Sequence, residues 1–242
     1  MKRVVLCGLL IVAAVWAADA RLSKADNYYQ NRHKDYKGYT DQIYNLCKEV
    51  LSENANDAGA LWRMARLYCL YGDDKTSKQD KLSRYETARG YAENAKAADV
   101  KIPETHFWHG VALGRIGQTK GVLNSLSMAP GIKADFEKAL SLDPKFTPAM
   151  DGLAIWYLEV PGFAGGDISK SISYLKKGIG IDPNYTLLYV DLAKVYIKQK
   201  NYSAAREQLK RCLVITNPYN PADFYLDDKP DAQKLLAEIE GK

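Results

Sequence analysis

The chain of 242 residues has few of the residue types that most enzymes and metal proteins use for chemistry. It contains three histidines and four cysteines, and no cysteine belongs to a C-x-x-C pair. The motifs G-x-S-x-G, H-E-x-x-H and G-x-x-x-x-G-K do not occur in it, which excludes the common hydrolase elbow, zinc-protease helix and phosphate loop. We therefore predict a protein that is not an enzyme and has no cofactor.

An excess of charge of one sign is also missing. The 34 Lys and Arg residues stand against 29 Asp and Glu residues, a formal net charge of +5. No basic stripe appears along the chain, so nucleic-acid binding is not expected. A composition of 47% hydrophobic and 26% charged residues is that of an ordinary globular protein and excludes a disordered chain.

One long hydrophobic run is present, at the N-terminus. Met1–Arg3 is basic, residues 4–16 are apolar, and an Ala-Asp-Ala site follows. This three-part pattern is typical of a secretory signal peptide, here residues 1–20, with cleavage before Arg21. Because the apolar run is shorter than a membrane-spanning helix needs, an uncleaved anchor is the less favoured alternative.

The expected location follows from that signal. Leu6 precedes Cys7, where the lipobox of a lipoprotein needs a small residue, and no second apolar run of spanning length exists. We expect a periplasmic or secreted protein that meets a membrane only by association.

Three cysteines, Cys47, Cys69 and Cys212, remain after cleavage. An odd number leaves at least one free thiol. All three lie among apolar residues at helical spacing, which favours buried hydrophobic roles. A Cys47–Cys69 bridge stays open.

Two of the histidines, His106 and His109, lie three residues apart on a predicted helix. That spacing could direct both at one metal ion, but Glu104 is the one further ligand type nearby. Because a zinc site needs more ligands, we predict no metal site.

Proline punctuates the body of the chain at regular intervals. Asp143-Pro144, Asp182-Pro183 and Asn217-Pro218 place prolines 39 and then 35 residues apart. Repeats of this length indicate a stacked helical solenoid. The best unit, residues 186–217, has the large-x-x-large-small-x-x-aromatic first helix of a tetratricopeptide repeat (TPR), followed by a second amphipathic helix.

The pattern predicts one all-α domain over residues 21–242. We expect a TPR-like right-handed helical solenoid of four to five helix pairs, with a C-terminal capping helix over about residues 229–240. Long inserted loops are predicted at Gly72–Leu82, Gln118–Gly131 and Val160–Gly166.

In TPR arrays the first helix of each pair lines a concave groove, the usual binding surface. Counting from the anchor residue of each first helix predicts which side chains face a partner. These are Trp62, Arg66, Trp108, Asp151, Ile155, Val190 and Lys194. Trp and Arg are frequent interface anchors, but large aromatics at helical spacing are often core, so Trp62 and Trp108 could belong to either.

Two stretches carry a resemblance to known families. Leu61–Arg66 resembles the "LWRLAR" signature of a divergent TPR group, and His106–Trp108 and residues 132–144 are similar to it as well. One branch is the eukaryotic regulator of microtubule dynamics family. Another is the periplasmic TPR component of tripartite ATP-independent periplasmic (TRAP) transporters, which the loop Pro161–Asp167 resembles.

The resemblance implies a TPR fold and a protein partner. The export signal argues against a microtubule role in the cytosol, and the missing lipobox departs from the lipid-anchored members of the transporter branch. The leading hypothesis is an exported, non-catalytic TPR scaffold that binds a protein in its concave groove. The alternative is a periplasmic adaptor or small-ligand carrier for a TRAP-type transporter, with a solute-binding or transporter subunit as partner; homo-oligomerisation would fit it.

Overall fold

The computed structural model describes residues 20–242, which contain helices and no strand. The signal peptide predicted for residues 1–20 lies outside this range except for its last position. The helices are residues 20–31 (α1), Tyr36–Glu53 (α2), Ala58–Asp73 (α3), Lys78–Ala98 (α4), Pro103–Lys120 (α5), Val122–Leu142 (α6), Thr147–Glu159 (α7), Ile168–Ile181 (α8), Thr186–Lys198 (α9), Tyr202–Leu213 (α10), Pro221–Asp223 (α11) and Lys229–Glu238 (α12).

Successive helices form antiparallel pairs. Helix α3 packs on α4, α5 on α6, α7 on α8 and α9 on α10, while the first helices α3, α5, α7 and α9 also contact one another in sequence. This is the pattern of helix contacts in a TPR solenoid, whose first helices line the inner face. The predicted all-α solenoid is confirmed, with five pairs in residues 20–213 when α1 and α2 are counted.

Side-chain caps set where several helices begin. Asp57, Ser77, Asp167 and Asn201 each accept a hydrogen bond from a backbone amide in the first turn of α3, α4, α8 or α10. Each cap satisfies an amide that has no partner inside the helix. The polar residues between the apolar stretches therefore define the helix boundaries.

Close packing between pairs depends on small residues facing large ones. Phe136 of α6 lies between Gly110 of α5 and Gly152 of α7, and a Cβ atom at either glycine would come within 2.8 Å of its ring. The ring therefore occupies the space that side chains on α5 and α7 would take. This contact ties the third helix pair to the fourth.

The C-terminal capping helix is also confirmed. Ala232 and Ile239 are buried with Leu209 and Cys212 of α10 in one apolar cluster. The helical backbone begins earlier than predicted, at Pro221, and passes through a π-helical turn, Phe224–Asp228, before α12.

Two of the three predicted long loops are wrong. The expected segment Gln118–Gly131 is helical except at Gly121, which turns the chain between α5 and α6 with a φ of 108° that favours glycine. The expected loop Gly72–Leu82 is reduced to residues 74–77, because Ser77 caps α4. The third loop, Val160–Gly166, is present and contains the short 3-10 turn Gly162–Ala164.

Pro130 lies inside α6, although proline usually ends a helix. Proline in a helix interior costs about 3 kcal/mol. Neighbouring packing offsets that cost: Ala129 is buried, and its carbonyl accepts a hydrogen bond from Trp156 Nε1 at 2.8 Å. Tertiary contacts thus override a local helix breaker.

Within residues 20–242, no helix has the combination of length and apolar character that spanning a membrane would require.

Candidate functional site

The inner face of the solenoid is the candidate binding surface, and the structure places the seven predicted contact residues on it unevenly. Trp62, Arg66 and Asp151 are buried, and Val190 is completely buried. The other three, Trp108, Ile155 and Lys194, are half-buried. Three of the seven therefore offer an appreciable surface to a partner.

Trp62 is a core residue. Its side chain packs with Leu61 and Ala95, and Trp108 lies against the same cluster. The guanidinium of Arg63 stacks on the Trp62 ring, with its Cζ atom 4.1 Å from the ring centroid. The alternative that Trp62 is core therefore describes the structure.

The structure buries Val190 and does not expose it to a partner. Val190 is 0% exposed and packs with Ala205 and Leu209 of the second helix in its pair. Its neighbour Asp191 lies beside Asp151 and Lys194, both predicted inner-face residues. The aliphatic Val190 lies in the apolar interface of the pair, and the acidic Asp191 lies on the inner side.

The N-terminal end of the inner face carries an arginine cluster. Asp26 of α1 accepts hydrogen bonds from Arg63 Nε at 3.0 Å and Arg66 Nη2 at 2.9 Å. The Arg66 guanidinium also stacks on Tyr29, 3.7 Å from the ring centroid. Burial alone would raise the pKa of Asp26, but hydrogen bonds and charge from the two arginines outweigh it and lower that pKa.

Arg32, at the end of α1, contacts the opposite end of the chain. Its side chain is 1% exposed, and its Nη2 atom donates to Asp223 and lies 3.9 Å from Asp227 Oδ2. The next residue, His33, lies against Tyr225 with ring centroids 5.0 Å apart. The first helix and the turn before α12 therefore meet directly.

We call residues 217–228 the closing segment, because this stretch joins the two ends of the inner face. Its start is held near α9: the Tyr219 amide donates to Asn184 O at 2.9 Å, and the Tyr219 ring lies 5.1 Å from Tyr185. Its end is held by Thr186, which donates to Asp228 at 2.5 Å. Arg32 follows α1 and Thr186 begins α9, and the charges of Arg66 in α3 and Glu104 in α5 affect the pKa of Tyr219. All four are first helices, so the segment lies on the inner side of the solenoid.

The C-terminal end of the inner face is acidic. Asp151, Asp191 and Asp228 are all buried. Burial raises the pKa of Asp228 to about 8, and burial with the adjacent Asp191 charge raises the pKa of Asp151 well above its usual range. Lys194 is the nearby cation, with its Nζ 2.8 Å from Asp191.

The two histidines considered as metal ligands belong to a separate cluster between α4, α5 and α6. Asp135 accepts from His109 Nδ1 and from Lys96 Nζ, each at 2.6 Å. His106 instead pairs through Nε2 with the carbonyl of Val100 at 2.9 Å. Burial opposes ionisation of Asp135, but the bonds from His109 and Lys96 lower its pKa. The cluster connects three helices through one carboxylate.

Neither metal nor thiol chemistry is supported in the described part of the chain. No group of three or more His, Cys, Asp or Glu residues in positions 20–242 is arranged to hold a metal ion. Cys47, Cys69 and Cys212 are buried free thiols. Burial raises the pKa of Cys47 to about 11, and that of Cys69 and Cys212 to about 12, which keeps them protonated and unreactive.

Sequence reasoning missed most of the residues that form the two ends of the inner face. Asp26, Tyr29 and Arg32 recur at spacings of three, which marks one side of a helix. That signal was available, but α1 has no proline or repeat signature to fix its register. Asp223 and Asp227, four apart in the closing segment, carry the same kind of signal.

Comparison with known proteins agrees with this architecture. The family model described as Regulator of microtubule dynamics protein 1-3 matches residues 21–163, more than half of the chain, and a tetratricopeptide repeat model matches residues 163–213. Regulator of microtubule dynamics protein 1 of Bos taurus is 27% identical over 213 residues, which cover 80% of this chain and 64% of the relative. For the Mus musculus protein the identity is 26%, covering 81% and 67%. The chain thus spans 64% of the bovine relative's length.

Two solved bacterial structures have the same fold. A thermophilic TPR protein of Thermus thermophilus superposes with a TM-score of 0.65 at 18% identity, covering 88% of this chain and 99% of that one. The pilF protein of Pseudomonas aeruginosa superposes with a TM-score of 0.57 at 14% identity, covering 94% and 92%. At these identities the likeness shows the fold alone.

Proposed function

The chain belongs to the regulator of microtubule dynamics protein 1-3 family, and from that premise we propose that it is a non-catalytic scaffold whose inner face binds a segment of a partner protein. A TPR solenoid is generally a protein-binding fold. The proposal adds to that general role the surface used and the form in which the partner binds.

One observation carries the proposal: a polypeptide segment already lies on the inner face. The closing segment is held there by backbone contact with Asn184, by aromatic contact with Tyr185 and by the ion pair with Arg32. A surface that seats one peptide through its backbone, rings and charges has the chemistry to seat another. Half-buried Trp108, Ile155 and Lys194 extend that surface toward the middle of the solenoid.

Export is the second part of the proposal. Residues 1–20 have the pattern of a secretory signal, so we place the protein in the periplasm or outside the cell. The relatives are named for microtubule dynamics, but an exported protein would not meet cytosolic microtubules. The proposal therefore takes protein binding from the family and leaves the partner's identity to experiment.

The adaptor role for a TRAP-type transporter rests on the loop Pro161–Asp167. A ligand carrier would need long loops to close over its ligand. Two of the three predicted long loops are instead helix and a short turn. The favoured function is consequently the protein-binding scaffold, and a transporter or solute-binding subunit is one partner the experiment below would reveal.

Affinity capture from the native host tests the proposal. The full chain is expressed there with a C-terminal tag, and bound proteins are identified by quantitative mass spectrometry. The test variant is Ile155→Ser with Lys194→Ala on the inner face. The control is Ile181→Ser with Lys177→Ala on α8, a second helix, which removes the same residue types from exposed positions.

We expect at least one envelope protein to be enriched by the wild type and the control, and depleted about tenfold or more with the inner-face variant. A tenfold change in affinity corresponds to about 1.4 kcal/mol of binding free energy. Equal capture by all three chains, with circular dichroism showing each folded, would contradict the inner face as the binding surface.

A further inference from the structure

The closing segment also indicates what kind of partner the inner face accepts. We propose that the partner is an acidic peptide with aromatic residues, which binds the α1 end of the inner face by displacing the closing segment. This inference rests on the proposed function and names its ligand class. Both the surface under the segment and the segment itself carry the argument.

The surface under the segment is cationic and aromatic. Arg32 and Arg66 lie about the ring of Tyr29, with guanidinium carbons 4.3 and 3.7 Å from its centroid. Both side chains are buried, and within residues 20–242 neither Nε atom has a hydrogen-bond acceptor. The Arg32 donors that now bond to the closing segment suit the carboxylate oxygens of a competing ligand equally well.

The segment that covers this surface has the complementary composition. Residues 217–228 read N-P-Y-N-P-A-D-F-Y-L-D-D, with three carboxylates, three aromatic rings and no cation. Asp223 and Asp227 face Arg32, and Tyr225 lies against His33. The closing segment is thus an example of the proposed ligand. Its carboxylates pair with Arg32, and its Tyr225 ring packs on His33.

The part of the segment that covers α1 is the part most open to competition. Tyr225 and Leu226 are exposed large hydrophobic residues, and the Asp227 side chain is 67% exposed. Phe224 and Asp228, in contrast, are buried against the C-terminal core. A competitor could therefore replace the Asp223, Tyr225 and Asp227 contacts while the cap stays in place.

Competition with a tethered segment also predicts how affinity depends on that tether. The closing segment acts at an effective concentration in the millimolar range because it is part of the same chain. A free peptide should therefore bind weakly to the wild type and more tightly once the tethered carboxylates are removed.

The test uses a fluorescein-labelled peptide with the sequence of residues 217–228 and fluorescence anisotropy with the full chain. Asp223→Asn with Asp227→Asn weakens the tethered segment. Glu137→Gln with Glu207→Gln is the matched control, since it removes two half-exposed carboxylates elsewhere. Arg32→Gln and the charge-retaining Arg32→Lys are then placed in the Asn background, and thermal melting checks that each chain folds.

We expect the Asp223→Asn/Asp227→Asn chain to bind the peptide at least tenfold more tightly than the wild type and the control. Arg32→Gln should reverse the gain and Arg32→Lys should restore part of it. A peptide with its three Asp residues changed to Asn should bind at least tenfold more weakly. Affinity should fall as salt rises, since the contact depends on charge.

Equal affinity for wild type and Asn variant, or equal binding of the Asp and Asn peptides, would overturn the inference. Partner capture that depends on Ile155 and Lys194 without any peptide binding would reject the ligand class and leave the proposed function intact. Peptide binding without inner-face capture of a partner would reject the proposed function instead.

Discussion

The two ends of the solenoid bury charge in opposite ways. At the N-terminal end one carboxylate, Asp26, faces two arginines, and their charge and hydrogen bonds lower its pKa. At the C-terminal end three carboxyls are buried, Asp151, Asp191 and Asp228, and Lys194 pairs with Asp191. The pKa of Asp26 is lowered at one end, and the pKa values of Asp151 and Asp228 are raised at the other.

Burial alone therefore does not decide the charge of an inner-face carboxyl. Desolvation raises the pKa of Asp26 and of Asp228 alike, but two guanidinium partners reverse the outcome for Asp26. The closing segment brings the two regimes together, since its Asp223 contacts Arg32 at one end and its Asp228 contacts Thr186 at the other.

The largest loss of stability is expected when the acid at the N-terminal end is removed. Asp26→Ala leaves Arg63 and Arg66, both largely buried, without their carboxylate. Removing one partner of a buried pair leaves an uncompensated charge, and we expect a loss of about 3 kcal/mol in the free energy of unfolding. Urea denaturation at pH 7 measures it; a loss below about 1 kcal/mol would show that the arginines find other acceptors.

The pH dependence of stability should show the opposite behaviour at the C-terminal end. The folded pKa of Asp228, about 8, lies above its unfolded value near 3.8, so the folded state holds an extra proton between those values. Stability should therefore fall as pH rises from about 4 to 8, and by about 3 kcal/mol from this group between pH 5 and pH 7, where each pH unit costs about 1.4 kcal/mol. Asp228→Asn should flatten that slope in urea titrations at pH 5, 7 and 9. An unchanged slope would mean that Asp228 is ionised when folded.

Acid should act selectively on the N-terminal end and on the Asp135 cluster. The pKa values of Asp26 and Asp135 are lowered, so their stabilising contribution is present above about pH 4 and is lost as pH falls through the folded values. Below pH 4 we expect the free energy of local opening in α1, α3 and α6 to fall by about 1 kcal/mol. Amide exchange in these helices, corrected for intrinsic rates, should speed up accordingly. Mass spectrometry localises it; uniform loss over all helices would contradict the separation into two regimes.

The smallest effect is expected between the two ends, where exposed apolar side chains carry no charge. Leu123 is 83% and Phe163 is 89% exposed. Changing either residue to Ser should alter the free energy of unfolding by no more than about 0.5 kcal/mol at any pH from 5 to 9. A larger loss in thermal or urea unfolding would show that these side chains contribute to the packed structure.

Much of the fold was predictable because its signals are local. Asp143-Pro144 and Asp182-Pro183 mark the end of one pair and the start of the next, and the small and large residues of α9 and α10 mark their contact. Local signals failed where tertiary packing outweighed them, as at Pro130, whose helix is held by the Trp156 bond to Ala129.

The candidate site was less predictable for a different reason. Val190 was expected on the inner face of α9, but it packs inside its helix pair, and Asp191 lies beside Lys194 instead. The contact between Arg32 and Asp223 joins residues 191 positions apart, and neither sequence pattern nor repeat spacing encodes a contact of that range. The sequence analysis assigned no role to the closing segment, because its partner Arg32 lies at the opposite end of the chain.

The most direct test of this account is a double-mutant cycle between the two ends of the chain, with Arg32→Met, Asp223→Asn and the pair together. Each chain is unfolded in urea at pH 7, and the interaction energy is the departure of the double mutant from the sum of the single ones. If the closing segment joins the ends, the coupling should exceed about 1 kcal/mol. Effects that add within about 0.3 kcal/mol would contradict the closed inner face on which the account depends.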